Sequence, residues 1–309
     1  MFNSLFSEEE IEKERQVILE ESQGRQDDAG CAFYDAIGDK FFVPEKGHKT
    51  IGTDKTIKSI NRDKIIKYLD KNYSCENIIF IVCGPHKPRV IFEYIKSVLP
   101  CDYRHTKKNI CDDNLWHPRL LQRSGKIKFR YKRENIVQSS INMPLVGVNS
   151  DDDLFVAQKV LFSAIGGGMY SVLFSKIRDE LALCYSVGTL IHHMSYPNVI
   201  LPMIYGACMP KNVNLFITQC EKEIAKIKHN GLSEKYFQCA KIDLLSGLYR
   251  QLETSNGIAN RMVKPLLFDQ QTHYDDTIKK IKKVKISDCN EVAQKVFNQT
   301  YNWAVMLPK

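Results

Sequence analysis

Apolar positions along the chain alternate between helical spacing and short strand-like runs. Ser7-Glu8-Glu9-Glu10 is a capping box ahead of a periodic stretch, which predicts a helix over Glu8 to Ser22. A turn-rich loop, Pro44 to Gly52, leads into Thr56 to Tyr73, where Ile57, Ile60, Ile65, Tyr68 and Leu69 recur at helical spacing. Asn77 to Gly84 is a continuous apolar run closed by Gly and Pro, the pattern of a buried strand, and Arg89 to Leu99 reads as an amphipathic helix.

From Pro100 to Gly125 no period survives, and Pro, Asp, Asn and basic residues mix; this predicts an interdomain linker over 105–125 between domains at 1–104 and 126–309. Strict alternation from Lys126 to Lys132 then predicts a strand with one wet face, and Ser139 to Val148 a second strand. Asp151 to Ala164 reads as a helix, Gly166 to Gly168 as a turn, and Met169 to Glu180 as another helix. Strands follow at Cys184 to Ile191 and Val199 to Gly206, then long helices at Val213 to His229 and Ser233 to Gln251. The pattern closes with a helix from Ser287 to Asn298 and a strand from Trp303 to Leu307. Strands first and helices after within one domain give an α+β class.

Composition narrows this picture without changing it. With 43% hydrophobic and 26% charged residues, the 309-residue chain has the make-up of a globular protein of about two domains. No apolar run approaches the roughly 20 residues needed to cross a bilayer, and no targeting leader is visible in MFNSLFSEEEIEKER. The ten cysteines are scattered without a C-x-x-C pair, which predicts reduced thiols and a reducing intracellular compartment. The net charge of +8 is concentrated between Arg104 and Arg133. A solvated linker explains that cluster better than a nucleic-acid site, because no base-stacking module accompanies it.

Two acidic residues of the first helix stand out. At about 100° per residue, Glu21 lies about 20° from Glu14, with Ile11 and Ile18 on one side and Val17 on the other. Either the pair belongs to a solvated Glu/Lys helix, or the stripe is covered and the carboxylates need a metal or an Arg partner. Gly166-Gly167-Gly168 lacks both the Walker Lys-Ser/Thr and the dinucleotide spacing, so it reads as a tight turn that lets another segment approach. Arg178 and Tyr185 straddle a helix-to-strand boundary and are individually ordinary. His192 and His193 are adjacent on a strand and face opposite ways, which excludes a simple shared metal site.

Taken in order, these segments resemble the pitrilysin/insulinase family of inverted zincins, which includes the mitochondrial processing peptidases. Phe6 to Glu21, FSEEEIEKERQVILEE, is similar to the family's F-x-E-E-x-x-x-E-R-x-V-x-x-E-E helix. Ile165 to Phe174, IGGGMYSVLF, and Ile177 to Val187, IRDELALCYSV, are similar to its L-G-G-G-x-S-S-x-L-F and I-R-E-x-x-x-x-Y-S-V motifs. The resemblance implies that Glu21 is a zinc ligand, that Glu14 is a supporting carboxylate, and that Arg178 and Tyr185 hold and polarise a substrate carbonyl. It also implies two related α/β layered domains with mostly antiparallel sheets, the first incomplete at its N-terminus, an unfolded peptide as substrate, a homologous subunit as a possible partner, and no nucleic-acid or membrane partner. The family draws two His ligands and a general base from an H-x-x-E-H helix, and no such motif occurs in these 309 residues. The expectation is therefore an N-terminally truncated metallopeptidase that does not hydrolyse peptides or hold zinc tightly alone. The alternative expectation is a non-catalytic peptide-binding or partner subunit.

Overall fold

The structure, a computed structural model, describes residues 4–41, 51–73, 78–99, 128–193, 200–267 and 274–309. The expected linker at 105–125 and most of the Pro44 to Gly52 loop lie outside the described residues. The chain separates into two compact units. The first draws its described residues from Met1–Asp35, Gly47–Trp116 and Glu253–Gln270, the second from Ala36–Lys46, His117–Leu252 and Gln271–Lys309.

In the first unit, α1 spans Glu8–Asp27, with Ser7 as N-cap accepting from the Glu10 amide at 3.3 Å. The Ser7 hydroxyl in turn donates to the Glu10 carboxylate at 3.1 Å, so Glu10 serves the cap through the hydroxyl. Asp28 then breaks the helix, and its carboxylate accepts from the Cys31 amide at 2.6 Å to start α2, Ala29–Phe41, whose residues from Ala36 on belong to the second unit. The periodic pattern had not revealed α2, whose residues read as a polar stretch. The single helix expected over Thr56 to Tyr73 is two, α3 at Asp54–Ser59 and α4 at Arg62–Asn72. Asn61 separates them, its side chain accepting from the Lys64 amide at 3.1 Å, because a short amide side chain competes for the backbone where a helix starts.

The expected buried strand at Asn77 to Gly84 is a correction. Among its described residues, Ile78 to Cys83 pair with no other strand, and Ile79, Phe80 and Val82 are exposed. An apolar run becomes a buried strand only when a neighbouring ladder and a covering layer are present, and the described residues supply neither. The helix that follows, α5 at Pro88–Val98, starts with Pro at a position that needs no amide donor.

The second unit is built on one five-stranded sheet in the order β1-β5-β2-β4-β3. Its strands are β1 Lys128–Arg133, β2 Ser139–Pro144, β3 Cys184–His193, β4 Ile200–Cys208 and β5 Trp303–Pro308. The β1–β5 pair is parallel and every other pair antiparallel. The helix after β2 is α6, Phe155–Gly166, which begins later than Asp151 because the Asp152 carboxylate accepts from the Leu154 amide at 2.8 Å and holds a turn there. A π-helical segment, Phe174–Glu180, replaces the expected α-helix before β3. Beyond β4 come α7, Val213–Asn230, and α8, Glu234–Gln251. Next is α9, Ser255–Leu267, which belongs to the first unit, and then α10, Tyr274–Lys283, and α11, Ile286–Val296.

Most of the buried apolar side chains form one cluster in this second unit. Buried Val160, Leu161 and Ile165 of α6 and Ile141 and Met143 of β2 belong to this one cluster, and Phe162 packs edge-on against Phe297. Gln158, fully buried, accepts from the Val148 amide at 2.7 Å and donates to the Val148 carbonyl at 3.4 Å, capping the end of the β2 segment. Burying that amide is tolerable because each of its polar atoms used here meets a backbone partner.

Candidate functional site

Each of the two expected residue pairs lies within one unit. On α1, both Glu14 and Glu21 are exposed, and Val17 is 56% exposed, so the stripe is open in this unit. Among the described residues no layer covers that face, which is the solvated alternative for the pair. Neither carboxylate has a hydrogen-bond or ion-pair partner among the described residues. Arg15, beside Glu14 in sequence, is committed elsewhere. Its guanidinium donates to the Ile57 carbonyl at 2.6 Å and to Glu12 at 2.8 Å, fastening α1 to α3.

In the second unit the structure brings Arg178 and Tyr185 together. Arg178 lies near the end of the π-helical segment, and the backbone then turns through Ala182 at φ 48. The Leu183 amide donates to the Ile177 carbonyl at 3.0 Å, and Asn212 donates to the Leu183 carbonyl at 3.2 Å, pinning the turn from both sides. The guanidinium carbon of Arg178 sits 4.9 Å from the Tyr185 ring centroid and 4.4 Å from that of Phe174. Cation–π attraction of this kind holds a guanidinium in place without consuming its N–H donors. No carboxylate pairs with Arg178 among the described residues, so those donors remain available.

Tyr185 gains its position from a register shift. Cys184 pairs with Cys208, and Ser186 with Ala207, which leaves Tyr185 as the extra residue of a bulge. A bulge re-aims the side chain it frees, and Tyr185 is 75% exposed at the start of β3. A free guanidinium fork beside a phenol can donate hydrogen bonds to the oxygen of an amide and stabilise charge developing on it. The neighbouring thiols do not join this chemistry. Burial pushes Cys184 up to about 11, with Cys208 adding to it, and burial does the same to Cys208, so both stay protonated near neutrality.

Sequence reasoning missed Phe174 as the second face of the stack. Its spacing four residues before Arg178 was the available signal. The glycine run is placed as expected. A Cβ on Gly166 would lie 2.6 Å from the Thr189 amide nitrogen, so α6 meets the backbone of β3 there.

A zinc centre needs about three protein ligands, and Glu21 supplies one oxygen. No group of three or more His, Cys, Asp or Glu suited to a metal occurs among the described residues. The described residues therefore do not fit a zinc ion by themselves.

Helices layered on a mostly antiparallel sheet define an α+β class, and the Arg–Tyr pair lies where β3 begins. The chain belongs to the M16 peptidase family, the pitrilysin/insulinase group, since the family model described as the peptidase M16 inactive domain matches residues 59–244. An uncharacterized zinc protease of Streptomyces coelicolor is 24% identical over 99% of this chain and 66% of that relative. Another, from Bacillus subtilis, is 23% identical over 99% of the chain and 73% of the relative. The chain thus spans about two thirds of the length of these relatives. Among solved structures, a protease from Helicobacter pylori superposes with a TM-score of 0.80 at 20% identity, covering 98% of this chain and 73% of that one. The peptidase M16 inactive domain from Pseudomonas fluorescens gives 0.80 at 16% identity, covering 99% and 72%. These likenesses carry the fold. No helix among the described residues is long and apolar enough to cross a membrane.

Proposed function

We propose that this chain contributes Glu21 as a zinc ligand, Glu14 as its supporting carboxylate, and Arg178 with Tyr185 as the carbonyl-holding pair, to a peptide-cleaving M16 peptidase. The H-x-x-E-H helix of that site would come from polypeptide other than these 309 residues. What supports the reading is the unpaired Arg178 guanidinium within cation–π distance of both Phe174 and the exposed Tyr185. In this role Arg178 and Tyr185 grip the carbonyl oxygen of an extended peptide, and the half-buried Phe174 keeps the guanidinium from swinging away. Substrates are unfolded peptides or presequences, the partner a homologous subunit, and the setting a reducing compartment that suits the seven free cysteines among the described residues.

A non-catalytic peptide-binding subunit is the second reading. It is favoured by the fact that the Arg–Tyr pair is assembled entirely within the second unit, from residues of this chain alone.

Fluorescence anisotropy of a labelled unstructured peptide tests the shared core of both readings. Arg178→Ala is expected to weaken binding about tenfold and Tyr185→Phe by less, in line with the loss of one charged and one neutral hydrogen bond. Undiminished binding by Arg178→Ala overturns both. Adding a polypeptide bearing H-x-x-E-H separates them: zinc-dependent peptide hydrolysis that disappears in Glu21→Gln supports the catalytic role, and binding without hydrolysis supports the other.

A further inference from the structure

Cys184, Cys208 and Cys220 come together where β3 begins. Cys184 and Cys208 stand opposite one another as register partners in the antiparallel β3–β4 pair. Residues so placed have Cα atoms about 4.5–5.5 Å apart, inside the roughly 4.4–6.8 Å that a disulfide spans. Cys220 arrives from α7. Gly206 and Cys208 lie two apart on β4 and so share a face, and the Phe216 ring occupies the space that a Cβ on Gly206 would need. One helical turn beyond Phe216, Cys220 is thereby carried over Cys208.

Burial and electrostatics agree with this placement. Cys208 and Cys220 are buried in the core cluster, and Cys184, half-buried, packs against it. Burial is the main reason these thiols keep their protons. Beyond it, Cys208 acts electrostatically on Cys184, and Cys184 and Cys208 both act on Cys220, which requires short separations. Cys184 is the least covered of the three and precedes the exposed Tyr185, so a small reagent reaches it first.

We propose that Cys184 and Cys208 form an oxidisable dithiol, closed by a peroxide into a cross-strand disulfide that locks the bulge presenting Tyr185. The Cys184 thiolate attacks one peroxide oxygen and the O–O bond breaks. The hydroxide released takes up the proton that Cys184 lost, leaving a sulfenic acid and one water. The Cys208 thiol then gives up its proton, and its sulfur displaces hydroxide from the Cys184 sulfur. The S–O bond breaks, the S–S bond forms, and the hydroxide leaves with that proton as a second water. Two thiols are oxidised and one peroxide is reduced to two waters; a reducing thiol reverses the change by exchange. The bond ties the rung beside the bulge, so Ala182 to Ser186 lose freedom while the register stays and Tyr185 is held beside Arg178. The consequence for peptide binding rests on the carbonyl-holding reading above, and formation of the bond does not.

The full 309-residue chain, reduced and then treated with hydrogen peroxide at mildly alkaline pH, tests this by mass spectrometry after non-reducing chymotryptic digestion. A Cys184–Cys208 linkage is expected, lost on adding dithiothreitol, absent from Cys184→Ser and Cys208→Ala, and kept in Cys220→Ala. Amide hydrogen exchange over residues 182–186 is expected to slow several-fold on oxidation of the parent and to stay unchanged in Cys208→Ala. The Kd for the labelled peptide should fall about threefold on oxidation, because a site already held in its binding arrangement has less freedom to lose. The proposal is overturned if Cys184 and Cys208 stay thiols or go on to sulfinic acids, if Cys184 joins Cys220 instead, or if exchange over 182–186 is unchanged or faster. Where the reduced chain binds peptide, an affinity unchanged or weakened by oxidation also overturns it. A reduced chain that binds no peptide removes the carbonyl-holding reading, while the linkage with slowed exchange upholds the lock.

Discussion

Replacing Gly166 by Ala adds one methyl group at the point where α6 meets β3. That methyl would lie 2.6 Å from the Thr189 nitrogen and 2.7 Å from both the Gly188 carbonyl carbon and the Thr189 Cγ2. Carbon atoms in good contact sit about 3.5 to 4 Å apart, so α6 and β3 must separate by roughly 1 Å. Two of the three atoms are backbone, which cannot rotate aside, and the Thr189 hydroxyl already donates to the Phe162 carbonyl at 2.6 Å across the same seam. Overpacking of this kind costs about 1–3 kcal/mol. The better helix propensity of Ala returns at most about 1 kcal/mol, and less at the last helical residue. The control is two residues on: a Cβ at Gly168 meets nothing within 4 Å. Urea unfolding of both variants, followed by the fluorescence of buried Trp303, should lower the midpoint of Gly166→Ala by roughly 0.5–1 M and leave Gly168→Ala within about 0.2 M of the parent. Equal midpoints for the two variants would refute the argument that Gly166 is present for close approach.

Gln158→Leu removes both bonds to Val148 and leaves a buried amide unpaired, so a loss of about 2–4 kcal/mol is expected in the same assay. Ser139 is fully buried with an unpartnered hydroxyl, so Ser139→Ala should be neutral or stabilising by up to about 1 kcal/mol. Burial pushes the Cys289 thiol up to about 12 and Cys208 to about 11 from an ordinary value of 9.0. Their raised folded values stabilise fully below pH 9, and the contribution should fade as pH climbs from 9 toward 11 to 12; Tm against pH reads this, and the double Cys→Ala variant should flatten the decline.

The parts of the fold legible in the sequence are those whose pattern is local. The Ser7 cap, the strands at Ser139 and Cys184, and the long helices after Asn212 and Ser233 all announce themselves through short-range spacing. Helix α2 escaped because its signal is Asp28, a single cap between two helices with no loop. The run Ile78 to Cys83 misled because apolar composition records what a segment needs, and its cover is absent from the described residues. At the site, motif resemblance found Arg178 and Tyr185, but the stack with Phe174 depends on a π-helix and a bulge that no periodicity reports.

Those two irregularities have a shared arithmetic. A π-helical segment and a bulge each arise by accommodating one residue more than regular structure needs, and they flank the turn at Ala182. Deleting Asp179 or Glu180 would rotate everything after it by about 100° about the helix axis and swing Tyr185 away from Arg178. Deleting one from the bulge would restore strict alternation and change the face on which Tyr185 falls. Chain length at this turn is thus as stringent as residue identity: the pair can survive many substitutions around it and almost no change in spacing.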